Sequence, residues 1–71
     1  MTYYFSLNLS SDDFLLYYQG VINTIVVTTE NGLRVEFPAM HLRRYFLSGG
    51  IKGRFCLKTK DNKFLSLDKI S

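Results

Sequence analysis

The chain has 71 residues, a hydrophobic fraction of 46%, 15% aromatics and a formal charge of +3. That length holds one core and not two, and the composition excludes a disordered polymer. A lone cysteine, Cys56, excludes an internal disulfide, and a lone histidine, His41, leaves no zinc-type cluster, so no metal or other cofactor is expected.

Taken in chain order, Tyr3 to Leu9 alternates, with Tyr3, Phe5, Leu7 and Leu9 on one face, and predicts a first strand. Ser10, Ser11, Asp12 and Asp13 then supply side-chain oxygens for the unpaired amides of a helix start, and the two acids suit its positive end. The spacing predicts a helix over 11–19, with Phe14, Leu15 and Tyr18 on one side and Gly20 ending it. Val21 to Thr29 is dense in β-branched residues and predicts a second strand, which Asn31-Gly32 turns back as a tight hairpin. The returning strand places Leu33, Val35 and Phe37 on a core face, alternating with Arg34 and Glu36 as far as Pro38.

Pro38 suits the first turn of a helix, and Ala39, Leu42 and Phe46, three and four residues apart, predict a second short helix over 39–47. Ser48-Gly49-Gly50 ends it. Ile51, Phe55 and Leu57 then alternate with Arg54, Cys56 and Lys58 in a fourth strand, and Lys60-Asp61-Asn62-Lys63 turns into a final strand from Phe64 to Ile70. The order β-α-β-β-α-β-β makes an α+β, β-rich single domain over 1–71. Its expected form is a small curved sheet or partly closed five-stranded barrel, with the two short helices plugging the open ends. A flat sheet with both helices on one face is the alternative.

The start Met-Thr-Tyr-Tyr-Phe carries none of the regions of a secretory signal, and no apolar run approaches the roughly 18 residues of a membrane span. A reducing, cytoplasmic setting without membrane contact is expected. Residues 1–39 hold one base and four acids, whereas residues 40–71 hold eight bases and two acids. Between Met40 and Lys60 lie six bases and no acid.

No nucleophile, base and orienting group come together in the pattern, so no catalytic residue is expected and the chain reads as non-enzymatic. Cys56 beside Arg54 and Lys58 reads as an ordinary strand cysteine, His41 as a surface or capping histidine, and Asp12-Asp13 as part of a helix cap. Gly49 to Arg54 runs from helix into strand, opposite to a phosphate-binding loop, and reads as turn glycines. The basic segment is the informative feature. Arg43, Arg44, Tyr45, Lys52, Arg54 and Lys58 are the expected binding residues, for an unidentified protein partner first, because Arg and Tyr are enriched at binding hot spots. Nucleic acid is the second reading, with the bases on phosphates and exposed Tyr45 or Tyr4 stacking on bases. A monomer or weak homodimer is expected, the latter through an open edge on the last strand.

At Tyr17-Tyr18-Gln19-Gly20, at Gly32-Leu33-Arg34-Val35-Glu36-Phe37-Pro38-Ala39 with Leu42-Arg43, and at Gly50-Ile51-Lys52-Gly53-Arg54-Phe55, the chain resembles a family of short bacterial proteins. That family is mainly gammaproteobacterial and is classed as a domain of unknown function. The resemblance spans nearly the whole chain and implies a bacterial cytoplasmic protein, with no catalytic residue to carry over. Some members of the family carry a type II topoisomerase label. That activity calls for a nucleotide-hydrolysing module, a metal-binding carboxylate cluster and a strand-cleaving tyrosine, which these 71 residues do not house.

Overall fold

The computed structural model describes residues 1–71 and places five strands, one α-helix and one 3-10 helix. The strands are β1 (Thr2–Leu9), β2 (Thr24–Thr28), β3 (Arg34–Pro38), β4 (Ile51–Lys60) and β5 (Lys63–Lys69), and helix α1 spans Ser11–Tyr18. They divide into two antiparallel sheets, β1-β4-β5 and β2-β3, and no closed barrel forms. The expected five-stranded curved sheet or barrel is therefore replaced by a three-stranded layer facing a two-stranded one. At the β1 edge the layers share a backbone bond, Glu30 N–H to Tyr4 O at 2.7 Å.

Period-two patterning decides which side of each strand is buried. Phe5 lies beneath the sheet between half-buried Tyr3 and Leu7, while Thr2, Tyr4, Ser6 and Asn8 are exposed. Ile51, Phe55 and Leu57 from β4, Leu67 from β5, and Ile25, Val27 and Phe37 from the hairpin join it in one cluster, which Phe14, Ala39 and Leu42 complete. The Phe5 ring sits 5.6 Å from Phe55 and 5.8 Å from Phe37, so it joins both layers. Each such side chain contributes about 1.5–3 kcal/mol by leaving water.

Ser10 caps α1, its Oγ accepting from the Asp13 amide at 3.1 Å, and Asp12 and Asp13 sit in the first turn. Only Phe14 of the expected stripe is buried. Leu15 and Tyr18 are exposed, and Tyr17 packs on the core instead. Beyond the helix, the amides of Val21 and Ile22 both donate to Leu16 O, at 3.0 and 3.2 Å. Those amides are spent on closing the helix end and cannot join a ladder, so β2 starts at Thr24 and not at Val21.

The two-residue turn expected at Asn31-Gly32 forms instead in the second hairpin. Thr29 N–H donates to Leu33 O and Gly32 N–H to Thr29 O, with Gly32 at φ +85, giving a three-residue loop. The Thr29 hydroxyl donates to Asn31 Oδ1 and accepts from the Leu33 amide, which fixes that loop and draws exposed Leu33 out of the strand. The two-residue primed turn occurs at Asp61 and Asn62, at φ 53 and 61. Pro38 ends β3 opposite Thr24, with its nitrogen on the open edge where no donor is needed.

The second helix is a 3-10 helix over Ala39–Tyr45. Three residues per turn stack Ala39, Leu42 and Tyr45 in one line, so Tyr45 completes the inward stripe expected of Phe46. Phe46 follows in extended conformation and packs on Phe14 and Tyr18, at 5.2 and 5.5 Å between ring centroids. No helix in the chain is long and apolar enough to cross a membrane.

Candidate docking surface

The basic segment does not form one face. Alternation puts Lys52, Arg54 and Lys58 on the side of β4 away from Phe55 and Leu57, while Arg43 and Arg44 sit on the 3-10 helix, which packs through Ala39 and Leu42 onto the core side. Three of the six expected binding residues are also occupied within the chain. Arg54 holds Glu30 through Nε and a terminal nitrogen, at 2.6 and 2.8 Å, and lies 5.0 Å over the Tyr4 ring. That hydrogen-bonded guanidinium keeps the Glu30 carboxyl below its ordinary value. Tyr45, expected to be exposed, is half-buried: its hydroxyl donates to Leu67 O at 2.7 Å and its ring meets Phe55 edge-on at 5.3 Å. It holds the 3-10 helix to β5.

Arg43 is occupied too, but at the surface. Its guanidinium donates to Tyr18 O at 2.7 Å, where the last turn of α1 leaves a carbonyl unpaired, and lies 5.4 Å over the Tyr18 ring. Exposed apolar side chains lie on the segments that carry this pair. Leu15, Leu16, Val21 and Ile22 are exposed along α1 and its closing turn, Val21 by 68%, and Leu47 after Phe46 is 70% exposed. Monomeric proteins scatter such residues singly, and clustering marks an interaction surface. This apolar cluster was not anticipated, because helical spacing alone assigns Leu15 and Tyr18 to the core. The signal available in the sequence was the excess of apolar residues from Phe14 to Ile22 over what one buried stripe can use.

On its other side Arg43 enters a cleft of about 440 Å³, with Met40, His41 and Arg44 on the 3-10 wall and Phe64 to Asp68 of β5 on the opposite wall. His41 lies flat on Phe64, with centroids 3.6 Å apart and planes within 6°, and burial lowers its pKa. Arg44 rests 5.2 Å over Tyr45 and has no carboxylate partner, since Arg54 to Glu30 is the single salt bridge of the chain. Arg43 thus links the end of α1 to the cleft, where Arg44 stands without a carboxylate partner.

His41 faces an aromatic ring, buried Cys56 lies on the far face of the sheet between Tyr4 and Asp68, and no three His, Cys, Asp or Glu side chains gather to hold a metal. Among known proteins, a family described as "Protein of unknown function (DUF2835)" matches residues 1–70. The chain belongs to that family. The match covers every element of the DUF2835 fold described above. No curated protein and no solved structure matches the chain. The family description assigns no activity, so the function of this DUF2835 domain has to be argued from its own surface.

Proposed function

We propose that this DUF2835 domain is a non-enzymatic docking module that binds a protein partner through α1, its closing turn and the adjoining cleft. The observation that carries the reading is the Arg43–Tyr18 pair, held at the surface by the 2.7 Å bond to Tyr18 O, with exposed Leu15 on the same helix, Val21 in its closing turn and Leu47 just after Phe46, which packs on Tyr18. Arg and Tyr are the side chains most enriched at binding hot spots, and holding both in place before contact lowers the entropy cost of association. Arg44 adds selectivity, because a carboxylate entering the cleft finds an unpaired fork. The fitting partner presents bulky apolar side chains beside an acidic one.

A displayed library of random peptides, selected on the immobilised domain, tests this. Enriched sequences should combine apolar and acidic residues, shift the amides of residues 15–22 and 40–47 on titration, and lose at least tenfold in affinity to Arg44→Glu. Enrichment of basic sequences, or shifts confined to β2 and β3, would remove the reading.

A further inference from the structure

The opposite side of the molecule carries a second, chemically different surface. Both helices and the β2-β3 hairpin pack on one side of the three-stranded sheet, and the residues of its other side stay outside the core cluster. Along β4 the outward positions are Lys52, Arg54, Cys56, Lys58 and Lys60, and the register places Lys63 of β5 beside Lys60. The β1 residues beside them, Thr2, Tyr4, Ser6 and Asn8, carry no charge, and on β5 the outward acid is Asp68 alone. With Arg54 paired to Glu30, four lysines face one carboxylate on this side of the sheet. The lysine row from Lys52 to Lys60 is about 27 Å long at the rise of a strand. In its middle, the Arg54 guanidinium lies over the exposed Tyr4 ring.

We infer that this face binds single-stranded nucleic acid, with Lys52, Lys58, Lys60 and Lys63 neutralising phosphates and the Tyr4–Arg54 pair as the plane on which a base stacks. Charge complementarity selects a polyanion. An aromatic and guanidinium plane at the centre of the row serves unstacked bases, which a duplex does not present. This sheet face also carries no helix to enter a groove. A lipid surface fits less well, since the row carries no bulky aliphatic side chain to insert.

The test is fluorescence anisotropy of a labelled 15-nucleotide oligothymidine with the whole chain, against a duplex of equal length and poly-glutamate. The single strand should bind tightest. Its affinity should fall about 50-fold between 50 and 200 mM salt if all four lysines contact phosphate. Lys52→Gln with Lys58→Gln should weaken it at least tenfold while leaving the amide spectrum of the core unchanged, and Tyr4→Leu should weaken it several-fold. Arg44→Glu, on the docking side, should bind as the unaltered chain does. No binding, equal binding of poly-glutamate, tighter binding of the duplex, or loss on Arg44→Glu would each overturn the inference.

Discussion

Arg54 reaches across the Tyr4 ring to grip Glu30 with two N–H···O contacts of 2.6 and 2.8 Å, tying the central strand of one sheet to the hairpin loop of the other. The Glu30 amide bonds Tyr4 O on the same edge, so one loop residue is held through both backbone and side chain. Because the folded state holds this carboxyl below its ordinary value, the contribution is complete above the normal carboxylate range and is lost as pH falls through the folded value. Arg54→Met should return Glu30 to the ordinary carboxylate range in a carbon-detected NMR titration and speed exchange of the Glu30 amide. An unchanged titration would mean that the pair does not persist in solution.

Tyr45→Phe should cost about 1 kcal/mol in denaturant unfolding, because it removes the donor to Leu67 O and leaves a half-buried carbonyl unpaired. The docking-side and sheet-side titrations should be unaffected by it. A loss of peptide affinity without loss of stability would instead make Tyr45 a contact residue.

His41 sets a pH dependence near neutrality. Burial against Phe64 lowers its folded pKa, so protonation is resisted in the native state and easier in the unfolded chain. Stability should therefore fall as pH drops from the ordinary histidine range, near 6.5, toward the lower folded value. Thermal melts from pH 7.5 to 5 should show the decline in the unaltered chain and a flatter profile in His41→Phe.

Gly50→Ala should destabilise by at least about 2 kcal/mol, which a domain of this size tolerates poorly. Gly50 adopts φ +111, and an added Cβ would overlap Leu9 O and the Ser10 backbone. Gly49→Ala, with open space around its Cα, is the control and should cost little. Equal melting temperatures for the two variants would contradict the close approach at Gly50.

Local chemistry was legible wherever one short-range pattern decided the outcome. The alternation in β1 and β4, the Ser10 cap and the Asp61-Asn62 turn all follow from neighbouring residues. Failures arose where distant partners decide. Nothing adjacent to Val21 reveals that its amide closes α1 on Leu16 O, and nothing between Arg54 and Glu30, 24 residues apart, reveals their pairing. The 3-10 period was visible as Ala39, Leu42 and Tyr45, but Phe46 offered an equally good α-helical stripe, and only packing on Phe14 separates the two. For the same reason the basic segment read as one surface. Its bases are neighbours in sequence, yet the strand pleat and the 3-10 helix send them to opposite sides of the sheet.

The docking surface is tested most directly by photocrosslinking in the living cell, with a photoreactive amino acid placed singly at Leu15, Val21 or Leu47, and at Thr24 or Glu36 on the hairpin as controls. A discrete adduct of the same mass is expected from all three docking positions, absent from both controls and diminished by Arg44→Glu. Adducts of equal yield from docking and control positions, or from the controls alone, would contradict it.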